Sequence, residues 1–124
     1  MIKVSTEKAP KAIGPYSQAI IVNNLVFTSG QIPLSPVTGE IVGSNVTEQA
    51  EQVLKNLSEV LNEAGSSLDN IVKTTCFLSD MADFANFNEV YSKYIKNAPA
   101  RSCVAVKELP KKVLCEVEAI AEIK

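Results

Sequence analysis

The chain has no histidine, a single arginine among its basic residues, no cysteine pair at metal or redox spacing, and no apolar run long enough to span a bilayer. Each absence removes a class of function. Without histidine there is no Ser-His-Asp or Cys-His nucleophilic arrangement and no His-containing metal site, so proton transfer has to use Glu, Asp, Tyr, Lys, Cys, Ser or water. The glycines at 14, 30, 39, 43 and 65 match neither the dinucleotide fingerprint nor the phosphate-binding loop, and a nucleotide cofactor has no support. With 14 acidic against 12 basic residues there is no extended basic footprint, and nucleic acid is not an expected partner. Lys107, Lys111 and Lys112 form the one local basic cluster and read as a solvated turn. The longest apolar runs, such as Ala19–Val22 and Leu25–Phe27, are far too short for a membrane helix, and Met1–Pro15 lacks the apolar stretch of a signal peptide. A cytoplasmic location is the expectation.

What is present describes one soluble globular domain over residues 1–124, with 46% apolar residues and a net charge of -2. Cys76, Cys103 and Cys115 are odd in number and lie inside apolar, strand-like stretches, which predicts reduced core thiols. From Thr47 to Ala64 the apolar positions Ala50, Val53, Leu54, Leu57, Val60, Leu61 and Ala64 follow helical spacing without a miss. Asn45 or Thr47 can cap this helix, with Glu48 three residues after Asn45 and Gly65 at its end. Phe84, Phe87, Val90, Tyr91, Tyr94 and Ile95 predict a second helix over about Asp83 to Lys96.

Strands are expected at Gln18–Val22, Leu25–Gly30, Ile71–Ser79, Arg101–Val106 and Leu114–Ile123, with Lys3–Ser5 a weaker candidate and Asn23-Asn24 a tight hairpin turn. This order predicts an α/β sandwich, one mixed sheet with both helices on one face. Several strands are apolar on both faces, for example Val72, Cys76 and Leu78 against Ile71 and Phe77. The uncovered face therefore needs a partner, and a homo-oligomer packed sheet against sheet is the economical answer.

The lone Arg101 suggests a position where the planar guanidinium matters, such as bidentate capture of a carboxylate; the competing reading is an ordinary surface charge. If its strand pairs with the last one as a hairpin, Arg101 and Glu116 could approach. They would then form either a fixed cation beside a proton-handling acid or a plain cross-strand ion pair. Tyr16, in the turn Gly14-Pro15-Tyr16-Ser17, reads as a packing aromatic or a site residue, and Ser29-Gly30-Gln31 as turn chemistry or a strand-end binding site. Asn88 is either solvent-facing or directed at a substrate.

The stretches Ala12-Ile13-Gly14-Pro15-Tyr16-Ser17-Gln18-Ala19, Thr28-Ser29-Gly30-Gln31-Ile32-Pro33, Asp69-Asn70-Ile71-Val72-Lys73-Thr74-Thr75, Phe87-Asn88-Glu89-Val90-Tyr91, Pro99-Ala100-Arg101-Ser102-Cys103-Val104 and Glu116-Val117-Glu118-Ala119-Ile120-Ala121 occur in order along the chain. Together they resemble the RidA family, also called the YjgF family, of reactive-intermediate imine deaminases. The resemblance implies a chorismate-mutase-like mixed sheet assembled as a homotrimer around a central barrel, with sites in the clefts between subunits. It implies hydrolysis of reactive 2-imino acids and their enamine tautomers, such as 2-iminopropanoate and 2-aminoacrylate released by pyridoxal-phosphate-dependent dehydratases, to 2-keto acids and ammonia. Neither cofactor nor metal is implied. Carried over by motif, Arg101 would bind the substrate carboxylate, Glu116 would position or activate the attacking water, and Tyr16, Ser29, Gly30, Asn88 and Cys103 would line the pocket.

The connection from Tyr91 to Pro99 is shorter than in many relatives, which bears on the cleft's shape there. Competing readings are a small-molecule-binding regulatory trimer without turnover, a ribonuclease or translation inhibitor, and a protein-holding chaperone. A pure carboxylate receptor would need Arg101 but not the acid at Glu116. A ribonuclease would be expected to show a basic face and interleaved stacking aromatics, which this chain lacks.

Overall fold

Helix α1, Val46–Glu63, starts where the sequence offers a cap and stops where glycine permits a left-handed turn. The Glu48 N–H donates to the Asn45 side chain at 2.9 Å, and the Glu48 carboxylate accepts from the Ser44 N–H at 2.9 Å, a reciprocal closure of the helix entrance. Gly65 takes φ +84, and the Ser66 N–H returns to the Leu61 carbonyl at 2.9 Å. The apolar stripe read from the sequence is buried along its length, from Ala50 to Leu61. Helix α2, Phe84–Tyr94, is shorter than its periodicity suggested. Ile95 already turns to extended backbone, and Ala98 adopts φ 51 just before Pro99. This short connection is tied down by Asn97, whose side-chain amide donates to the carbonyls of Asp69 and Ile71 at 3.1 and 3.0 Å.

The computed structural model describes residues 1–124. Its strands are β1 (Ile2–Val4), β2 (Ala19–Val22), β3 (Leu25–Thr28), β4 (Ile71–Leu78), β5 (Ala100–Ala105) and β6 (Cys115–Glu122). They form one mixed sheet in the order β1-β2-β3-β6-β4-β5. All pairs are antiparallel except β4 with β5, which α2 joins as a crossover. Two crossovers, β3–α1–β4 and β4–α2–β5, lay both helices on the same face, as expected of a right-handed connection repeated in one direction. Against the helices the sheet buries Val26, Cys76, Leu78, Cys115, Val117 and Ala121. No helix is long and apolar enough to cross a membrane.

Two sequence expectations fail here. Strand β5 does not pair with β6 as a hairpin, because β4 lies between them. The chain between β5 and β6 passes instead through a single turn at Pro110–Lys112, in which Lys111 and Lys112 both take left-handed φ, 56 and 57. The alternation along β4 is also broken. A register shift between Ile71 and Lys73 leaves Ile71 buried on the helix side, with Thr74, Cys76 and Leu78, and turns Val72 outward. Val72 therefore does not share a face with Cys76 and Leu78.

The face away from the helices carries Ile20, Phe27, Phe77, Val104 and Ile120. Phe27, on an interior strand, and Val104, on the edge strand β5, are 40% and 46% exposed, which leaves an apolar face open to solvent.

Candidate active site

Strand register decides where the two principal candidates go. Arg101 stands opposite Thr74, and Thr74 is buried on the helix side. Glu116 stands opposite Phe77, whose side chain belongs to the other face. Directly opposed residues share a face, so Arg101 and Glu116 project from opposite sides of the sheet. They line two separate clefts.

The Glu116 cleft, about 690 Å³, is walled by Ile13 and Tyr16 from the turn before β2, by Thr28, Ser29, Gly30 and Ile32 at the end of β3, by Pro110 and Lys111, and by Glu118. Its walls are positioned from the core. The Ser29 hydroxyl donates to the Ser17 carbonyl and its N–H to the Gln18 carbonyl, locking the Tyr16 turn onto the strand end. Asn56, buried in α1, donates to the carbonyls of Ile32 and Leu34 at 3.1 and 3.0 Å and holds the loop after β3. Tyr16 is half exposed, and its hydroxyl accepts from the Ile13 N–H at 3.4 Å.

Glu116 is half-buried, and its carboxyl is pushed above the usual carboxylate range, first by burial and then by the neighbouring Glu118 charge. Gly30 makes room for it. A Cβ at Gly30 would overlap Glu116 Oε2 and stand 2.8 Å from its Cδ, while the Gly30 backbone has no left-handed φ. Space, not torsional freedom, is what this glycine provides. Gly30→Ala should therefore displace the Glu116 carboxylate without straining the backbone. The expected outcome is a loss of activity of about tenfold or more, with the melting temperature little changed. In a Glu116→Ala background the same substitution should cost almost nothing further, and a double-mutant cycle measured by activity checks this.

The Arg101 cleft, about 470 Å³, lies on the other side of the sheet between α2 and β5, and includes Asn88, Tyr91, Ser92, Pro99 and Arg101. Arg101 Nη1 donates to Asn88 Oδ1 at 2.7 Å. The guanidinium carbon lies 4.8 Å from the Tyr91 ring centroid and 5.6 Å from that of Phe84. These partners are all neutral, so the cation is oriented but not neutralised, a suitable state for receiving an anion.

Cys103 sits two residues beyond Arg101 on the same side of β5, directly across from Cys76, and is half-buried without lining either cleft. All three cysteines are free. Burial pushes the Cys76 and Cys115 thiols up to about 12 and raises Cys103 as well, so none is a thiolate nucleophile at neutral pH.

The structure thus brings Tyr16, Ser29 and Gly30 to Glu116, and Asn88 to Arg101, but does not bring the two groups together within one chain. Sequence reasoning missed Phe84 and Tyr91 as site residues. Their spacing from Asn88, four residues before and three after, places all three on one face of α2, a signal that was read only as core packing.

The chain is matched over residues 6–123 by the family model described as Endoribonuclease L-PSP. It is 56% identical over 122 residues to the putative regulator AldR of Lactococcus lactis, covering 98% of this chain and 97% of that one. It is 49% identical over 119 residues to the human 2-iminobutanoate/2-iminopropanoate deaminase, covering 95% of this chain and 87% of the relative. The crystal structure of Escherichia coli TdcF with bound serine superposes with a TM-score of 0.95 at 44% identity, over the whole of both chains. With its motifs, its sheet order and these relatives in agreement, the chain belongs to the Endoribonuclease L-PSP family, the YjgF/RidA family.

Proposed function

We propose that this protein is a homotrimeric deaminase that hydrolyses reactive 2-imino acids, such as 2-iminopropanoate and 2-iminobutanoate, to 2-keto acids and ammonia, each site being shared by two subunits. The observation that carries the reading is the division of the site. A free, oriented cation and a half-buried acid lie on opposite sides of one sheet, each at the edge of an open cleft. In this reading the apolar open faces of neighbouring copies pack against each other and cover Phe27 and Val104, and the Arg101 cleft, which opens at the edge strand β5, meets the Glu116 cleft of the next copy around that edge. The human relative's name supports the reaction class. The serine bound to TdcF has the α-carboxylate and α-nitrogen that such a site would recognise.

In this reading the Arg101 guanidinium binds the substrate carboxylate with two parallel hydrogen bonds and so fixes the iminium carbon against the facing wall. That carbon is already electrophilic, and the protein has to orient water and move protons. Glu116, as carboxylate, takes a proton from the water as its oxygen bonds to the iminium carbon, giving a tetrahedral carbinolamine. It then returns the proton to the nitrogen. Ionised again, it accepts the hydroxyl proton as the C–N bond breaks and the C=O bond forms, so that ammonia and the 2-keto acid leave and ammonia carries that proton away as ammonium. The raised carboxyl of Glu116 suits this exchange, because its affinity for the proton is closer to that of the groups it serves. A regulator that only bound carboxylates would have no use for this acid.

Two measurements test the proposal. Sedimentation equilibrium should show a trimer at micromolar concentration, and a monomer would remove the shared site. When a serine dehydratase generates 2-aminoacrylate in the presence of semicarbazide, catalytic amounts of the protein should suppress semicarbazone formation in favour of pyruvate. Unchanged trapping would contradict the deaminase reading.

A further inference from the structure

We propose that Tyr91 is a positioning residue: its ring is the shelf that sets the plane of the Arg101 guanidinium, and Thr74 is the anchor that holds the shelf in place. The inference rests on the reading of Arg101 as the carboxylate clamp, and adds to it the part of the fold that gives the clamp its orientation.

The geometry forms a closed triangle within the β4–α2–β5 crossover. Thr74 on β4 and Arg101 on β5 are register partners in the parallel pair. Tyr91 comes down from α2 between them, with its hydroxyl 2.7 Å from Thr74 Oγ1 and its ring centroid 4.8 Å from the Arg101 guanidinium carbon. Thr74 is fully buried and Tyr91 is 8% exposed, so this contact excludes water. Phe87, one turn earlier on α2, packs its ring against Tyr91 with centroids 5.9 Å apart.

The arginine guanidinium is carried on a long flexible stem, and one hydrogen bond to Asn88 leaves it free to rotate about that bond. The aromatic face removes the remaining freedom, because the cation is attracted to the ring and the flat group packs against it. Burial pushes the Tyr91 hydroxyl above its ordinary value, in keeping with a neutral ring beside the clamp. The sheet register thus fixes the ring, the ring fixes the guanidinium plane, and the plane selects a carboxylate approaching in one orientation.

Because Arg101 is the only arginine, its side-chain Nε–H gives one signal in a proton–nitrogen correlation spectrum, which provides a direct readout. In the native protein the ring current of Tyr91 should displace this signal from its position in an unstructured peptide; an undisplaced signal would overturn the proposal without any variant. Tyr91→Leu keeps a shorter apolar group and removes the face. It should return the signal toward the unstructured position and weaken pyruvate binding, measured by calorimetry, about five- to tenfold. KM for the imino acid should rise by a similar factor and kcat should change little. Tyr91→Phe keeps the face but loses the hydroxyl's bond to Thr74, so it should restore most of the binding while its Arg101 signal, still displaced by the ring, broadens or shifts as in Thr74→Val. Thr74→Val removes only the anchor and should broaden or shift the Arg101 signal while the protein stays folded. If Tyr91→Leu moves neither signal nor affinity while Arg101→Lys weakens pyruvate binding, the shelf is wrong and the clamp stands. If Arg101→Lys binds pyruvate as tightly as the native protein, the clamp itself is wrong.

Discussion

Arg101→Lys should lower kcat/KM for imine hydrolysis about a hundredfold, although it preserves the charge. Lysine offers a compact ammonium on a flexible stem. It can attract a carboxylate, but it cannot fix the carboxylate's plane with two parallel hydrogen bonds, nor lie flat against Tyr91 and Phe84. Losing one charge-assisted hydrogen bond and the orientation it enforces is worth roughly 2 to 3 kcal/mol in the transition state. Assembly should persist, because the apolar sheet face that the copies pack together is carried by other residues, Phe27 and Val104 among them. Steady-state kinetics on the purified variant checks the result, and activity close to the native level would make Arg101 an ordinary cation.

Glu116→Gln should reduce kcat about a thousandfold, near the middle of the range for removing a positioned acid–base group, while pyruvate binding and the oligomeric state persist. The pH dependence supplies a second check. In the proposed mechanism Glu116 acts as carboxylate; because both burial and Glu118 raise its proton affinity, the acid limb of the native kcat/KM profile should lie above the ordinary glutamate range. Glu118→Gln removes one of the two raising influences. The acid limb should move to lower pH while the plateau rate stays within about twofold. Equal losses of plateau rate in both variants would mean that the acid has been misassigned.

The parts of the fold with a strong local signal were legible in the sequence. Helix α1 appears within one residue of its expected ends, because an uninterrupted apolar stripe, the Asn45 cap and Gly65 all specify the same boundaries. Each strand was located to within a residue or two for the same reason. Pairing was not legible. The short link through Pro110–Lys112 suggested that β5 and β6 are neighbours, but insertion of β4 depends on long-range packing that no local pattern encodes. The bulge at Val72 was invisible because Ile71 and Val72 are both apolar, so either could have faced the core.

The candidate site was legible as residue types and not as an arrangement. Arg101 stood out as the lone arginine, whereas Glu116, one of three glutamates on its strand face, was singled out only by the family motif, and their separation onto opposite faces follows from the register of three strands, Arg101 on Thr74 and Glu116 on Phe77. Ser29 and Gly30 were visible as turn residues, whereas the reason for glycine at 30, the carboxylate of Glu116 lying against it, exists only in three dimensions.

That separation makes the shared site testable by mixing subunits. Arg101→Lys and Glu116→Gln proteins, each nearly inactive alone, would be denatured together in equal amounts, refolded, and assayed for 2-iminopropanoate hydrolysis. In a cyclic trimer whose sites take arginine from one subunit and glutamate from the next, random assembly pairs an intact arginine with an intact glutamate in about a quarter of the sites, so activity should recover to about a quarter of native. If both residues act within one chain, no mixed trimer contains an intact site. The mixture would then remain as inactive as its components, and the shared site would be disproved.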